Sequence, residues 1–443
     1  MVLRRTIGLA PLRDLTIPAE GSMSAARLLS AALRRLLGDL GAVLHPGSGV
    51  GDPQLRSDLR RLVLAAKKKS PGAVASALRS ADVGVWIRCL RPGAGAEIDR
   101  FAGLVCLAWS FGRALSRVGG WPLGCRLRVA GPLPKRLASL AAREVLEIET
   151  YIDTEHAQHL KNPGKAENAE SMGVLLAGGI EFSEQGLVLL GELAMDPCRG
   201  LSSETGQGVA GADRGRYFEI AGAASIVLAT IDDNPLANVE AHPDKSGNAV
   251  DLGGHPAEEW CAALADALAL IGDYLPDLRR EIGLYIQQFV PVGAYAERHL
   301  SASYREAIGT VYLSLHAKPM TMVEAVIHEF SHNKLNALFE VDAVLNNAFS
   351  SVHSSPLRPD LRPLHGVLLA VHAFLPVARL YECMIAAGDP RLGADGADRL
   401  RQIIDINHRA AMVIHEHAQP TALGSGLVSE IARWDRHFVG LSS

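Results

Sequence analysis

The chain of 443 residues is 48% hydrophobic and 21% charged, with a formal net charge of −4. This composition indicates an ordinary soluble globular protein of two or three domains and excludes the fibrous and disordered classes. The near-neutral balance argues against a nucleic-acid partner, and the shortness of its apolar runs argues against a membrane partner. The segment from Met1 to Ile17 is interrupted by charges and proline, so we expect no signal peptide and a cytoplasmic location. The six cysteines are dispersed without a C-x-x-C pair, which indicates reduced thiols.

The N-terminal part of the chain carries leucine, alanine and arginine at helical spacing. From Ala25 to about Ile148 this spacing predicts a helical region, and the polar stretch from Asp153 to Ser171 indicates its end. We therefore expect a mainly helical domain over residues 1–165 and a catalytic domain over residues 166–443. The helical domain has two candidate roles, recognition of a peptide and formation of a homodimer, and the sequence does not separate them.

The second domain is predicted to combine strands with helices. Trp260–Ile282 has the apolar spacing of a helix. Four segments are rich in β-branched and aromatic residues and are predicted to be strands: Tyr217–Ile220, Ile226–Leu228, Tyr285–Val290 and Gly309–Leu315.

The motif His328-Glu329-Phe330-Ser331-His332 places two imidazoles four residues apart. On a helix this spacing puts both rings on one face, where they can bind one divalent metal ion, with Glu329 within reach of a metal-bound group. We expect Thr321 to cap this helix and Glu324 to complete a capping box. A strand followed by an HExxH helix is the zincin-like order, so the predicted fold class is α+β, predominantly helical. The alternative is a buried helix whose histidines only bond to neighbours.

A working metal centre needs at least one further ligand. Leu335 and Leu338 stand where a metzincin has a glycine and a third histidine, which excludes that class. We favour His372 as the third metal ligand, with His365 as a near-equal alternative on the same face of a predicted helix. The remaining alternative is that both are histidines of the core.

A metal site with open coordination positions is also what a non-haem iron(II) oxygenase requires, because a 2-oxo acid and O2 occupy those positions. Such an enzyme needs a cation for the distal carboxylate of the 2-oxo acid. Arg379 lies two turns beyond His372 on one predicted helix face, and Arg358 and Arg362 stand in a predicted loop before that helix. We expect one of these arginines to bind the carboxylate, with solvation at the surface as the alternative for each.

Several motifs together resemble a known family. They are Tyr312–His316, Glu324-Ala325, His328–Leu335 with its His-Asn-Lys-Leu end, and Arg358–Val367 with its Arg-Pro-x-x-Arg-Pro pattern. From about Tyr217 to the C-terminus the chain resembles the HExxH-type peptide β-hydroxylases of ribosomal-peptide maturation. The resemblance implies an enzyme that depends on iron(II), 2-oxoglutarate and O2 and hydroxylates side-chain β-carbons of a precursor peptide. It supports His328 and His332 as ligands and leaves the third ligand and the arginine open.

Two other functions stay open at this point. A zinc-dependent peptidase would use Glu329 to activate a Zn(II)-bound water. It would also need a glutamate ligand from a following helix, but Glu340 is on the same helix and Glu382 has no supporting pattern. The other alternative is a non-catalytic binding protein stabilised by a metal. For the oxygenase, we expect the edge of the strand Val311–Leu315 to bind the peptide in extended form.

Overall fold

The computed structural model describes residues 12–95, 98–129, 217–223, 225–232, 234–237, 248–355 and 358–442, together with the backbone of four short strands between residues 175 and 194. Within these residues there are eleven α-helices and twelve β-strands. The predicted α+β class with a predominance of helix is therefore confirmed.

The described residues form two compact units. One unit contains the residues up to 35, those of 218–232 and those from 236 onward, and the other contains those of 36–217 together with 234 and 235. The predicted domain boundary at residue 165 lies outside the described residues. Residues 12–35 belong to the same unit as the HExxH helix, and the described residues that follow, 36–129, belong to the other unit.

Among the described residues 36–129 of the other unit, helix predominates, as predicted. Its helices are the C-terminal part of α1 (Ser24–Val43), α2 (Pro53–Lys69), α3 (Pro71–Arg79), α4 (Ala81–Leu90) and α5 (Arg100–Arg117). The side chain of Asp52 accepts a hydrogen bond from the backbone N–H of Leu55 and so caps α2, which begins at Pro53. Strand β1 (Leu127–Val129) pairs with β3 (Ile180–Ser183), which pairs with β4 (Gly186–Leu189), and β2 (Leu175–Leu176) pairs with β5 (Leu193–Ala194). The part of the predicted helical region after residue 129 lies outside the described residues.

The other unit is built on a sheet of five strands in the order β6-β7-β8-β10-β9. The strands are β6 (Tyr217–Glu219), β7 (Val227–Ala229), β8 (Gln288–Ala294), β9 (Ser301–Ala302) and β10 (Thr310–Leu315). Strand β10 is parallel to β8 and antiparallel to β9, and all of its residues are buried. The prediction that Val311–Leu315 offers a free edge to a peptide is therefore wrong, because β9 covers that edge. Strand β8 begins later than predicted, since Tyr285 still belongs to a helix.

Six helices of this unit follow the strand β7 in the chain. They are α6 (Ala257–Tyr274), α7 (Pro276–Tyr285), α8 (Pro319–Val341), α9 (Leu364–Ala387), α10 (Gly396–His417) and α11 (Ala422–Ser442). The predicted helix Trp260–Ile282 is divided into α6 and α7, because Pro276 has no N–H to continue α6 and instead starts α7. The predicted loop containing Arg358 and Arg362 is a strand, β12 (Arg358–Pro363), which pairs with β11 (Val352–Ser355) in a hairpin before α9.

One hydrophobic core joins the sheet to α6, α7, α8, α9, α10 and α11, and it includes Leu12, Leu15 and Ile17 from the N-terminal segment. Among the described helices, α9 alone is long and apolar enough to cross a membrane by length and composition. Its most apolar window is 61% buried within the protein, as in the core helix of a soluble protein.

Candidate metal centre

Helix α8 carries the HExxH motif and begins at Pro319, where the fixed φ and missing N–H of proline suit the first helical position. Lys318 occupies the N-cap position without a side-chain hydrogen bond, so the predicted Thr321 cap is wrong. Glu324 does not complete a capping box either, because its Oε1 accepts a hydrogen bond of 2.7 Å from the hydroxyl of Tyr381 in α9. The position of the helix is thus set by proline and by tertiary contacts.

The two histidines of the motif lie on one face of α8, as their spacing predicts. Their ring centroids are 4.4 Å apart, and the planes are nearly perpendicular at 77°. The ring of Phe374 in α9 packs against His328 with a centroid distance of 4.9 Å. A nitrogen of each histidine and a carboxylate oxygen of Glu329 all lie within 4.8 Å of one another. Of the described residues, these three alone form such a group, and one cation can reach all three donors.

Glu329 is 2% exposed, and its carboxylate is held from one side. Its Oε1 accepts a hydrogen bond of 2.6 Å from the hydroxyl of Ser301 in β9. Its Oε2 is buried without a hydrogen-bond partner among the described atoms, and the same is true of Nδ1 of His332. A buried polar atom without a partner costs about 1–3 kcal/mol, so a bound cation would remove a cost that the metal-free protein carries. The donor set of two imidazoles and one carboxylate fits a divalent metal ion.

The surroundings of His332 favour the neutral form of its imidazole, which can bind a metal. Burial, followed by the charges of His328 and His365, holds the pKa of His332 well below its ordinary value. The imidazole of His332 is therefore neutral at physiological pH, and a neutral imidazole is the form that donates a lone pair to a metal.

The residues directly after the motif hold α8 against the sheet. The side-chain Nδ2 of Asn333 lies within 3.0 Å of Ser303 Oγ, 3.3 Å of the Thr310 carbonyl and 3.0 Å of the Glu329 carbonyl, and its Oδ1 accepts a bond of 2.7 Å from the Gly309 N–H. Asn333 is fully buried. It therefore fixes the turn of the helix that carries Glu329 to the beginning of β10. In the sequence Asn333 stands out only as part of a motif, although a polar residue on a largely apolar helix is the signal that could have identified this role.

Lys334 binds α8 to the opposite side of the core. Its Nζ lies 2.6 Å from Glu281 Oε2 of α7, and each side chain is 1% exposed. The same Nζ is 3.5 Å from the carbonyl oxygen of Asp14. Glu430 of α11 accepts hydrogen bonds from the backbone N–H and the hydroxyl of Thr16. Buried polar side chains of two helices, Lys334 of α8 and Glu430 of α11, thus hold the N-terminal segment in the unit that contains the motif.

His372, the favoured third ligand, is directed to this N-terminal segment. Its Nε2 donates a hydrogen bond of 2.9 Å to the carbonyl of Leu15, and the side chain is 1% exposed. Burial, followed by the charge of Lys334, lowers the pKa of His372 to about 3. The structure does not bring His372 into the group formed by His328, Glu329 and His332.

His365, the alternative ligand, packs against two phenylalanine rings in tilted arrangements. Its centroid lies 4.5 Å from that of Phe339 and 4.9 Å from that of Phe349. It is close enough to His332 for its charge to lower the pKa of that residue, but it is not a member of the three-residue group. Among the described residues, Glu329 is the third member of the group that could hold a metal ion.

The arginines selected from the sequence have other partners. Arg379 Nη1 lies 2.7 Å from Glu382 Oε2, and Arg379 lines a cavity with residues 14 and 17–19 that contains none of the three donors. Arg362 Nε lies 3.0 Å from Asp360 Oδ2 in β12. Arg358 is in the same strand, and its side chain lies outside the described part of the structure. The structure brings neither Arg379 nor Arg362 to the metal group.

Two cavities lie beside the motif helix. The first, the His328 cleft, measures about 580 Å³ and is lined by His299, Ser301, Lys318, Glu324, His328, Phe374, Tyr381 and Arg399 among others. The second, the His365 cavity, measures about 500 Å³ and is lined by Arg305, Phe339, Asp342, Asn346, Phe349, Ser350 and His365 among others. Both are large enough for a small ligand or for part of a peptide.

No protein-family model matches this chain, and no curated protein shows significant similarity to it. The function is therefore argued from the geometry of the site and from the motifs.

Proposed function

We propose that the protein is a non-haem iron(II)- and 2-oxoglutarate-dependent oxygenase that hydroxylates side-chain β-carbons of a ribosomally made precursor peptide. The observation that carries the proposal is the group of two histidines and one buried glutamate, which is the donor set of non-haem iron(II) oxygenases. The residues of the motifs that resemble the peptide β-hydroxylases lie on β10, on α8 and on the segment from β12 to the start of α9.

The surroundings of the group favour this function over hydrolysis by a thermolysin-like peptidase. Such a peptidase takes a third ligand from a glutamate of a following helix. Glu382 of α9 binds Arg379 and His437, and Glu340 binds Arg305. Neither belongs to the metal group, so no glutamate from a following helix completes a peptidase site among the described residues.

The residues of the chain have separate roles in this proposal. His328, His332 and Glu329 would hold the metal, and Ser301 would orient the carboxylate of Glu329 by donating to its Oε1. When bound, iron(II) with 2-oxoglutarate activates O2, and the overall reaction gives hydroxylated peptide, succinate and CO2. The His328 cleft opens on the metal group between α8, α9 and α10 and would receive the peptide.

A zincin-like arrangement, in which β10 is followed by α8, would place the metal beside the sheet. The enzyme would act in the cytoplasm, and the unit of residues 36–217 would recognise the peptide or form a homodimer.

Anaerobic reconstitution tests the proposal. Iron(II) is added to the metal-free protein, then 2-oxoglutarate, and the visible charge-transfer band of the chelate is recorded. We expect a band with one iron per chain and its loss in His328→Ala and His332→Ala. The matched control is His353→Ala, because His353 stacks on His417 and lies outside the metal group. A wild-type protein that binds iron without producing the band contradicts the proposal.

A zinc peptidase is the second candidate, and one observation favours it. Ser301 fixes Oε1 of Glu329 and leaves Oε2 without a partner, which is a suitable arrangement for a general base acting on metal-bound water. Elemental analysis of the purified protein and incubation with peptides separate the two functions. Tightly bound zinc with peptide cleavage that is lost in Glu329→Gln would establish the peptidase, whereas hydroxylation of a peptide by 16 mass units per site would establish the oxygenase.

A further inference from the structure

Three large hydrophobic residues are exposed on the hairpin between α8 and α9. Phe349 lies just before β11, Val352 lies in β11 and Leu361 lies in β12, and each is more than half exposed. Val352 pairs with Pro363, and Leu361 stands two residues before Pro363, so Val352 and Leu361 lie on the same face of the hairpin. The opposite face carries His353, whose ring stacks on a histidine of α10. We call Phe349, Val352 and Leu361 together the hairpin face.

The hairpin face adjoins the His365 cavity. Phe349 lines this cavity, and its ring centroid lies 4.9 Å from that of His365. His365 stands two residues after Pro363, the partner of Val352 in the hairpin. An exposed apolar surface next to a cavity is typical of a site that binds another chain. The hairpin face and the cavity therefore form one groove, which we call the docking groove.

The cavity also contains an arginine with unused donors. Arg305 lies in the segment between β9 and β10, and its side chain is about half exposed. Its Nε donates a hydrogen bond of 3.2 Å to Oε1 of the buried Glu340. Within the described residues, Nη1 and Nη2 of Arg305 have no hydrogen-bond partner. An arginine that is fixed through Nε presents its two terminal nitrogens as a fork for a carboxylate, so the docking groove combines apolar side chains with a site for an acidic one.

The docking groove and the His328 cleft lie towards opposite ends of the contact between α8 and α9. Phe339 lines the His365 cavity and His328 lines the cleft. These two residues are eleven positions apart on α8, or about three turns, so they share one face of the helix and are separated by about 16 Å along its axis. Helix α9 runs antiparallel to α8 here, because His365 contacts Phe339 and Phe374 contacts His328. A peptide with more than about five extended residues is long enough to reach from the groove to the cleft.

On the basis of the proposed function, we infer that the docking groove binds a segment of the precursor peptide in which acidic side chains stand beside apolar ones. A carboxylate of this segment binds Nη1 and Nη2 of Arg305, and its apolar side chains cover the hairpin face. The fork lies inside a cavity, which an extended segment can enter, so we assign the groove to a peptide and not to a second copy of this chain. The groove holds the peptide at a distance from the metal group and leaves the His328 cleft for the residue that reacts.

The remaining charge in the cavity gives a second expectation. Asp342 lines the cavity, and its Oδ1 accepts a hydrogen bond from the N–H of Ala343 at the end of α8. The carboxylate of Asp342 repels an acidic segment in the same cavity. Asp342→Asn should therefore strengthen the binding of an acidic peptide by about 2- to 5-fold, as for a pair of partly exposed charges.

The test measures the binding of labelled peptides to the metal-free protein by fluorescence anisotropy, so the result does not depend on turnover. The first probe is a fluorescein-labelled octapeptide amide with the sequence Glu-Leu-Leu-Glu-Leu-Leu-Glu-Leu, and the second probe has glutamine in place of each glutamate. We expect the wild-type protein to bind the glutamate peptide about 3- to 10-fold more tightly, as for a bidentate contact with a partly exposed arginine. In Arg305→Ala this preference should disappear while the affinity for the glutamine peptide is kept.

Matched variants separate this role of Arg305 from a structural one. Arg305→Ala also removes a contact of the buried Glu340, so the double variant R305A/E340Q is measured as well and should show the same loss of preference with a wild-type unfolding midpoint. Arg433→Ala removes a comparably exposed arginine that does not line the cavity, and it should keep the preference.

A second pair of variants tests the apolar half of the groove. Leu361→Ser should weaken the binding of both peptides by about 3- to 10-fold, because it removes apolar area that the peptide covers. Leu64→Ser is the control, since Leu64 is exposed to a similar extent on α2, and it should leave both affinities unchanged.

Three results would overturn the inference. They are equal affinities of the two peptides for the wild-type protein, a preference that survives in R305A/E340Q, and a Leu361→Ser protein that binds the peptides as tightly as Leu64→Ser does. If Leu361→Ser lowers the molar mass measured by light scattering, the hairpin face is a contact between two copies of this chain and its assignment to a peptide is wrong. The charge-transfer band is recorded separately: a protein that shows the band without the peptide preference refutes this inference alone, and a protein that shows the preference without the band refutes the proposed function.

Discussion

The polar residues on different sides of α8 differ in whether they have hydrogen-bond partners. On the side that meets the sheet, the amide of Asn333 is bonded at both its nitrogen and its oxygen, and on the side that meets α7 the Nζ of Lys334 is paired with Glu281. On the face of the motif, by contrast, Oε2 of Glu329 and Nδ1 of His332 are buried without a partner among the described atoms. These residues lie within six positions of one helix.

Along α8, this difference separates residues that hold the helix to its neighbours from residues that could bind a ligand; outside α8, Oε1 of Glu281 and Nδ1 of His372 are also buried without a partner among the described atoms. A buried polar group that is fully bonded contributes to stability whether or not a ligand is present. A buried polar group without a partner lowers the stability of the free protein and recovers that energy when a ligand binds. We therefore expect substitutions on the motif face to change metal binding, and substitutions at Asn333 and Lys334 to change the free energy of unfolding.

The largest effect should follow the removal of a metal ligand. Sites with four protein ligands bind zinc with about 10–16 kcal/mol, or roughly 2.5–4 kcal/mol per ligand, so His332→Ala should weaken metal binding by about 100- to 1,000-fold. Competition with a chelator of known affinity measures this change. The free energy of unfolding of the metal-free variant should stay within about 1 kcal/mol of the wild-type value, because Nδ1 of His332 has no bond to lose.

The next largest effect is expected at Lys334. Its replacement by methionine leaves Glu281 as a buried carboxylate without its cation, which should lower the free energy of unfolding by about 3–5 kcal/mol. Denaturant unfolding of the metal-free protein measures this loss. Burial already raises the pKa of Glu281, so the loss should shrink as the pH falls and Glu281 takes up a proton in the folded state.

The double variant K334M/E281L is the control for Lys334. Because it removes both charges of the pair, it should recover most of the stability that Lys334→Met loses. A double variant that is as unstable as the single one would mean that Lys334 acts through its contact with the Asp14 carbonyl instead.

The sequence predicted contacts of the site between residues that are close in the chain. It did not predict contacts between residues that are far apart in the chain. The pairing of His328 with His332 follows from helix geometry alone, because four residues make about one turn. The partner of His372 is Leu15, which lies 357 residues away, and no local pattern reveals such a contact. The helix that carries His372 was therefore predicted correctly, but the partner of its imidazole was not.

The prediction of the fold was also limited by contacts between residues that are distant in the chain. The strand β10 was predicted from its β-branched residues, but its place in the middle of the sheet depends on β9, a strand of two residues that carries no recognisable pattern. The start of α8 was misplaced because Thr321 has the side chain of a capping residue, while Pro319 had already fixed the first helical position. The sequence predicted the long, strongly patterned elements such as α8 and β10, whereas the short strands β9 and β12 and the neighbours of each element depended on tertiary contacts.

A smaller loss of stability is expected at Asn333. Asn333→Ala removes the acceptor of the Gly309 N–H and the donor to the carbonyls of Thr310 and Glu329, and we expect a decrease of about 2–3 kcal/mol in the free energy of unfolding. The control is Asn347→Ala, whose amide bonds to residues 417 and 419 are exposed, so its loss should stay below about 1 kcal/mol. Equal losses in the two variants would contradict the role of Asn333 in holding α8 to the sheet.

The smallest effect, and the sharpest test of the comparison, is expected at Ser301. Ser301 and Ser303 both bond to Glu329, but Ser301 donates to the carboxylate and Ser303 donates to the backbone carbonyl. Substitution of a residue that orients a metal ligand typically costs about 10- to 100-fold in metal affinity, so Ser301→Ala should weaken metal binding by at least about tenfold. Ser303→Ala should leave metal affinity unchanged and lower only the free energy of unfolding. If both variants bound the metal equally well, Ser301 would not orient the carboxylate of Glu329. Only the metal ion would then hold this carboxylate in position.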